Sequence, residues 1–477
     1  MNAKKMIMMA CVALLAGCDP EERLWWSSQG DRAVVRVGDE LRLMDAEGHL
    51  GEVVMGKDAT EKVLVSSVSW LPDGSGFVTT RVRVIARWAD ARPLIPASEA
   101  EKVEAMQPAV LALLQTASKT DAKLKVIDQF LKHMPEQQVE RLMQALRVNH
   151  QSDPVALETL LNATPDGKEA LEWLKKPGEG FTVYEVCLCR LQDGHVEEIR
   201  TLAASLRAMV LPRVSPDGRR VAVVHLNEDR EDAALVVMTL DGKSRVTASE
   251  ATGTVYDWMP DGRSLVLMTP ASRDDDHLEV IHRITVVDDK GQLIEKPKVG
   301  PTLAMAITQL GSHLQVLPDG RALFACQPIT FPATGSGLEQ PPGLFLLSAD
   351  GSTVTPVPTA PGDLPSNLRH FVVSPDGKRV AVVESETDAV AVVELETAKT
   401  TFVSPVHDLW QCRTLPSWKS ATELTFAALH ENTPACVQWN VNGATHRLSD
   451  GWPAKSTEDW LAQQKADNSA KPAPTKP

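Results

Sequence analysis

The sequence predicts an all-β fold, a seven-bladed β-propeller of four-stranded antiparallel blades, interrupted by an all-α helical insertion in blade two. Three observations predict it. A Pro-Asp-Gly turn between apolar runs recurs along the chain, and a second turn, an apolar strand running into glycine, recurs at the same count. One interval between repeats is far too long, and inside it the hydrophobic period changes from two to that of a helix.

The turn phrase has five full copies, Leu71-Pro72-Asp73-Gly74, Ser215-Pro216-Asp217-Gly218, Met259-Pro260-Asp261-Gly262, Leu317-Pro318-Asp319-Gly320 and Ser374-Pro375-Asp376-Gly377. Proline presets φ, aspartate bonds the backbone, and glycine takes the left-handed conformation that closes a hairpin. Strand-like runs such as Arg220-Val221-Ala222-Val223-Val224 follow. Degenerate copies at Ser27–Asp31 and Ser417–Ser420 bring the count to seven.

The second turn follows Leu41–Met44, Val186–Cys189, Leu235–Met238, Ile284–Val287, Leu344–Leu347, Val390–Val393 and Val437–Trp439, with Ala398-Lys399 in place of glycine once. Two turns per repeat imply four strands. Units of about 40 to 50 residues close into a ring because one blade cannot bury both of its faces alone. The phrase Ser-Pro-Asp-Gly-Arg/Lys-x-Val-Ala, at 215–222 and 374–381, resembles the propeller repeat of TolB-type proteins over most of residues 22–450. That resemblance implies six blades behind an α/β domain. Here seven are counted and the first begins almost at Cys18, so a TolB role does not carry over.

Gly48 and Gly194 stand 146 residues apart, against intervals from the mid-forties to 60 elsewhere. Between Arg92 and Pro177 the spacing is helical, as in Leu124, Ile127, Phe130, Leu131 and Met134, and Ser98 with Glu101 forms a capping box. A small bundle of four or five helices is expected over 95–176, leaving between the second and third strands of blade two. Thr164-Pro165-Asp166-Gly167 imitates the turn phrase but sits in helical spacing. Such an insertion is read as a partner-binding element rather than a plug for the channel.

Residues 1–17 form a leader, with Lys4 and Lys5 before an apolar run from Met6 to Ala16 that is too short to span a bilayer. Leu15-Ala16-Gly17-Cys18 resembles the lipobox of bacterial lipoproteins, which implies cleavage before Cys18 and acylation of its thiol. Several acyl chains, at roughly 0.8 kcal/mol per buried CH₂, anchor a protein essentially permanently. Residues 18–21 are then the lipidated N-terminus. Asp19 resembles an inner-membrane retention signal, but that rule does not extend to all bacteria, and which membrane holds the anchor stays open. Trp25-Trp26 is assigned to the first strand, equivalent to Trp70, Trp258 and Trp418, rather than to the membrane interface. After 450 a short helix at Ser456–Gln464 and a disordered Ala/Pro/Lys tail are expected.

The chain is acidic, with a formal charge of −14 and no Lys/Arg cluster, which disfavours nucleic acid and anionic bilayer surfaces as partners. Past Cys18 five cysteines remain, Cys187, Cys189, Cys326, Cys412 and Cys436, so at least one thiol is left over. Cys412 with Cys436, both in the last repeat, is the first pair to consider as a disulfide. Cys187 and Cys189 share a strand face and read as small core residues before a metal clip.

Catalytic motifs are not found. There is no Gly-x-Ser-x-Gly elbow, and neither Gly74-Ser75-Gly76 nor Gly335-Ser336-Gly337 has the further glycine and lysine of a phosphate loop. His277 and His282 fall on opposite strand faces, and Asp274–Asp276 lack the spacing of a calcium loop. No cofactor or metal is expected. The reading is a non-enzymatic, membrane-tethered platform that binds another cell-envelope protein, close to an assembly-factor role resembling the propeller lipoprotein of the outer-membrane barrel-assembly machinery. The alternative is a ligand-binding or enzymatic propeller with its site in the central channel.

Overall fold

The structure, a computed structural model, describes residues 24–101 and 181–449 apart from short breaks at 38–39, 57–60, 86–87, 227–232, 253–254, 273–274, 308–313, 331–342, 358–367, 385–389, 404–414, 431–432 and 444. Seven four-stranded antiparallel blades follow one another along the chain. Blade 1 is β1 (Leu24–Trp26), β2 (Arg32–Val37), β3 (Glu40–Asp45) and β4 (Leu50–Met55). Blade 2 is β5 (Glu61–Trp70), β6 (Gly76–Ile85), β7 (Phe181–Gln192) and β8 (His195–Ser205), with the short helix α1 (Trp88–Ala91) after β6. Blade 3 is β9 (Met209–Val214), β10 (Arg220–Leu226), β11 (Ala233–Thr239) and β12 (Arg245–Thr252). Blade 4 is β13 (Tyr256–Trp258), β14 (Ser264–Ser272), β15 (Asp275–Thr285) and β16 (Val299–Ile307). Blade 5 is β17 (Leu314–Val316), β18 (Ala322–Thr330), β19 (Gly343–Leu347) and β20 (Val354–Pro356). Blade 6 is β21 (Leu368–Val373), β22 (Arg379–Glu384), β23 (Val390–Glu394) and β24 (Thr400–Phe402). Blade 7 is β25 (Ser417–Trp418), β26 (Glu423–His430), β27 (Thr433–Asn440) and β28 (Thr445–Ser449). The blade count and strand order are those the two turns predict.

Blades stack through strands that are buried on both faces, which explains apolar runs that do not alternate with polar residues. On β22, Val380 and Val382 pack toward blade 5, while Ala381 and Val383 pack toward Trp418, Leu424 and Phe426 of blade 7. On β10, Val221 and Val223 face blade 2, and Ala222 and Val224 face Tyr256 and Trp258 of blade 4. Each of the seven interfaces has a buried apolar cluster of this kind.

The Pro-Asp-Gly phrase does more than turn the chain. In blade 3 the Ser215 hydroxyl donates to Asp217 at 2.6 Å, and Asp217 in turn accepts the Arg219 amide at 3.1 Å. The same wiring recurs at Ser374, Asp376 and Lys378 in blade 6. Successive turns also nest: a Cβ on Gly377 would lie 2.7 Å from the Pro318 ring of the preceding blade. At Asp350, in the second turn of blade 5, the Ser348 hydroxyl and then the amide and hydroxyl of Ser352 pull the carboxyl down to about 2.

Two features depart from the simple repeat. Past Cys326, β18 outgrows its partner β19, and its residues Gln327–Thr330 pair instead with Ile307–Met305 of β16, so blades 4 and 5 share one eight-stranded sheet. Backbone groups that lose one strand partner are satisfied on the outer edge of the neighbouring blade. The other is the insertion. The chain leaves blade 2 after Ile85 and returns at Phe181, between second and third strands as expected. The described root holds α1 and a second helical turn at 97–101, and Ala91, Ile95 and Ala100 pack on Val183 and Ala204 of blade 2. The root therefore begins ahead of the expected boundary at 95. The rest of the insertion expected over 95–176 lies outside the described residues, as do the leader and the tail.

Ala398 occupies the glycine position of the second turn in blade 6 and is held at φ 60°. A left-handed conformation costs an L-residue roughly 1–2 kcal/mol that glycine avoids. Ala398→Gly is therefore expected to stabilise the protein by about 1 kcal/mol, after its own entropy cost, read as a higher denaturation midpoint with an unchanged m-value.

Candidate functional site

The first strands of the blades neighbour one another around the ring and surround its axis. Each edge facing the channel carries backbone and side-chain groups in need of partners, and a repeating hydrogen bond to the next blade supplies them. The donor stands two residues before the turn proline or its equivalent, and the acceptor stands three before it on the preceding blade. Where the donor residue is tryptophan, its indole reaches a backbone carbonyl: Trp70 Nε1 to Trp25 O at 2.9 Å, Trp258 Nε1 to Arg213 O at 2.8 Å, and Trp418 Nε1 to Val372 O at 3.0 Å. Where it is valine, its backbone amide donates to a polar side chain: Val214 N to Ser69 Oγ at 2.9 Å, Val316 N to Asp257 Oδ2 at 2.8 Å, and Val373 N to Gln315 Oε1 at 2.7 Å. The seventh bond closes the ring. Trp26 Nε1 donates to Thr425 Oγ1 at 2.7 Å, and that hydroxyl donates to Ser417 O.

Among the described residues, the first-strand side chains of Ser69, Asp257 and Gln315 are thus committed to architecture. Among the described residues, the first strands of blades 3 and 4 carry a charged pair, Arg213 and Asp257: the guanidinium lies 3.5 Å from Asp257 Oδ1 and 6.0 Å from the Tyr256 ring centre. Burial pushes the Asp257 carboxyl up, and Arg213 and the amides of Val316 and Trp258 oppose that rise. Both Asp257 oxygens accept backbone amides, so the residue holds blade 5 to blade 4 and Arg213 serves as its counter-charge.

A second polar cluster ties the insertion root to blades 2 and 3. Ser205 Oγ lies 2.9 Å from both Glu99 carboxylate oxygens and 2.9 Å from His225 Nε2, and Glu99 also accepts the Leu206 amide at 2.8 Å. Serine, histidine and glutamate are the components of a nucleophilic triad, but the wiring differs. In a triad the histidine accepts the serine proton and the acid holds the far ring nitrogen. Here the carboxylate takes the single hydroxyl proton, which leaves His225 Nε2 as the donor to Ser205. Ser205 is wholly buried. Burial, then Arg245 and Arg207, push the His225 imidazole down to about 4, so the ring is neutral at pH 7. The cluster is a clamp on the insertion root.

Among the residues singled out from sequence, Cys18, Cys412, Cys11 and Asp274 lie outside the described residues. Cys436 is a free, buried thiol on β27, pushed up to about 12 by burial. Cys187 and Cys189 pack with Phe77, Leu41 and Val34 in the cluster between blades 1 and 2, and burial raises both thiols. Trp26 takes the donor position equivalent to Trp70, Trp258 and Trp418. Among the described residues, Asp45, Glu47 and His49 come close enough to share an ion, but Asp45 already accepts the Glu47 and His49 amides and the His49 ring, which accounts for them as a turn.

These features define a β-propeller of seven sequential blades, with no strand exchanged between first and last blade among the described residues. The family described as the lipoprotein LpqB β-propeller domain matches residues 345–455, the region of the last blades. Solved structures with similar folds include TolB from Acinetobacter baumannii, at 18% identity and a TM-score of 0.36, over 55% of this chain and 58% of that one. Others are the TolB-like protein of Agrobacterium tumefaciens (12%, 0.36, 53% of this chain and 84% of that) and an oligogalacturonate lyase from Vibrio parahaemolyticus (12%, 0.42, 79% and 78%). The chain thus covers little more than half of the Acinetobacter protein. No curated protein matches. The family match falls on the blades that the structure shows over these residues, and it agrees with the propeller fold.

A base whose folded pKa lies below its unfolded value binds more protons when unfolded, so stability falls as pH drops through that window. For His225 the window runs from its ordinary 6.5 down to about 4. The melting temperature is expected to fall between pH 7 and pH 4, and His225→Gln to flatten that slope. Trp418→Phe, which leaves the Val372 carbonyl without its indole donor, is expected to cost about 1 kcal/mol or somewhat more in denaturant unfolding.

Proposed function

We propose that this protein is a cell-envelope lipoprotein, held to a membrane through an acylated Cys18, whose propeller is a non-enzymatic platform for another envelope protein. The observation that carries the reading is the use of channel polarity. Ser69, Asp257 and Gln315, side chains that chemistry in the channel would draw on, are committed to holding blade to blade. A reaction there would compete with ring closure. The insertion, by contrast, is rooted with a carboxylate clamp and an apolar patch, as an element carried by the ring and not required for it. The partial match to a lipoprotein propeller and the lipobox ahead of β1 support the envelope placement.

The recognition surface is then a ring face together with the insertion. Anchoring is tested by Cys18→Ser, which is expected to abolish palmitate incorporation and move the protein from the membrane to the soluble fraction. Recognition is tested by crosslinking in the native host followed by mass spectrometry, comparing the full chain with a form lacking 102–180, its folding checked by a cooperative thermal melt. A partner captured by the full chain, lost with the insertion and retained by Arg213→Ala supports the platform. Capture that survives the deletion, or is lost with Arg213→Ala, moves recognition to the channel and overturns this assignment.

A further inference from the structure

Six of the seven blade interfaces are crossed by the continuous chain. The seventh, between blades 7 and 1, joins β25–β28 to β1–β4, and among the described residues neither sheet takes a strand from the other. Among the described residues, side chains and close backbone contact close this seam.

Its chemistry differs from that of the other interfaces. Among the described residues, its buried cluster is Leu24, Trp26, Ala33, Val35 and Met44 against Cys436. The adjoining interface between blades 6 and 7 packs Trp418, Leu424, Phe426, Val437 and Trp439 against Val383 and Val392. At two turn glycines the blades also touch through the backbone: a Cβ on Gly30 would lie 2.2 Å from Lys419 O, and one on Gly48 would lie 2.5 Å from Leu448 O. With no strand shared across it among the described residues, parting this seam breaks only non-covalent contacts. Polar fastening comes from the Trp26–Thr425 bond and from Lys419, whose ammonium donates to Ala46 O at 2.7 Å and sits 5.1 Å from the Trp26 ring centre.

We propose that the ring is built to open at this seam, with Lys419 as its latch, while the other six interfaces stay packed. Local opening of this kind is a sub-global event, with a free energy below that of unfolding. The protein carries its own reporters. Cys436 lies in the seam cluster, while Cys187 and Cys189 lie in the neighbouring interface between blades 1 and 2. All three are buried, and burial raises all three thiols, so none reacts until its interface opens.

The test uses the full chain, reduced, at denaturant concentrations below its unfolding transition, with pulses of a maleimide reagent and peptide mass mapping of each cysteine. Cys436 is expected to label at least about tenfold faster than Cys187 and Cys189. Lys419→Ala is expected to raise the Cys436 rate by about a further tenfold, the factor that one hydrogen bond with a cation–π contact amounts to, and to leave the other two unchanged. Should Lys419→Ala fail to fold, Lys419→Met keeps the aliphatic stem, removes the ammonium and carries the same expectation. One common rate for all three cysteines, or a latch variant that moves all three together, would mean that the seam parts only on global unfolding and would overturn the proposal.

Discussion

The rest of the molecule depends on one hydrogen bond repeated around the axis, six times from the residue two before a turn to the residue three before the turn of the preceding blade, and once, from Trp26, by way of Thr425 to Ser417. First strands present an unpaired edge to the channel, and an orphaned buried amide or carbonyl there would cost about 1–3 kcal/mol. The chain meets this demand in two interchangeable ways. Tryptophan reaches out with its indole to a carbonyl, and valine offers its backbone amide to a polar side chain. Both link adjacent blades at the same point, so the spacing of the ring is held constant while the residues change.

Around that axis the blades are held by strands that serve two interfaces at once. Alternate residues of β10 or β22 belong to different apolar clusters, so a register slip of a single residue would exchange the two cores. The hairpin turns add a third link, since serine and aspartate fix the loop and the glycine edge of one turn meets the proline of the last. The insertion root is attached differently, by Glu99 on Ser205 and the Leu206 amide beside a neutral His225. It is fastened at the rim and leaves the axial bonds untouched.

Much of the fold was legible because turn chemistry is local. Pro216-Asp217-Gly218 and its copies, with the glycines of the second turn, mark fourteen hairpins within short windows, and even Ala398 was legible as a stand-in for glycine. Trp26 could be matched to Trp70, Trp258 and Trp418 by its distance from the turn. The valine alternative was not read, although its signal was present: Val214, Val316 and Val373 each follow a blade with Ser69, Asp257 or Gln315 at the acceptor position. The pairing of β18 with β16 left no signal, because it depends on one strand outgrowing its partner. Nor could the Glu99–Ser205–His225 cluster be read, since its members are joined only once blades 2 and 3 are packed and the insertion has been brought back to them.

The sequential layout also sets an order of assembly. Axial bonds such as Trp70 to Trp25 and Trp258 to Arg213 join residues 45 apart, so neighbouring blades can pair as soon as both have been made, with little loop entropy to overcome. The bond from Trp26 to Thr425 spans 399 residues and waits for the last blade. Contacts that distant form slowly, and until they form blade 1 presents Trp26 and Leu24 to solvent. The growing chain is therefore an open stack with a sticky first face, and the final blade caps it.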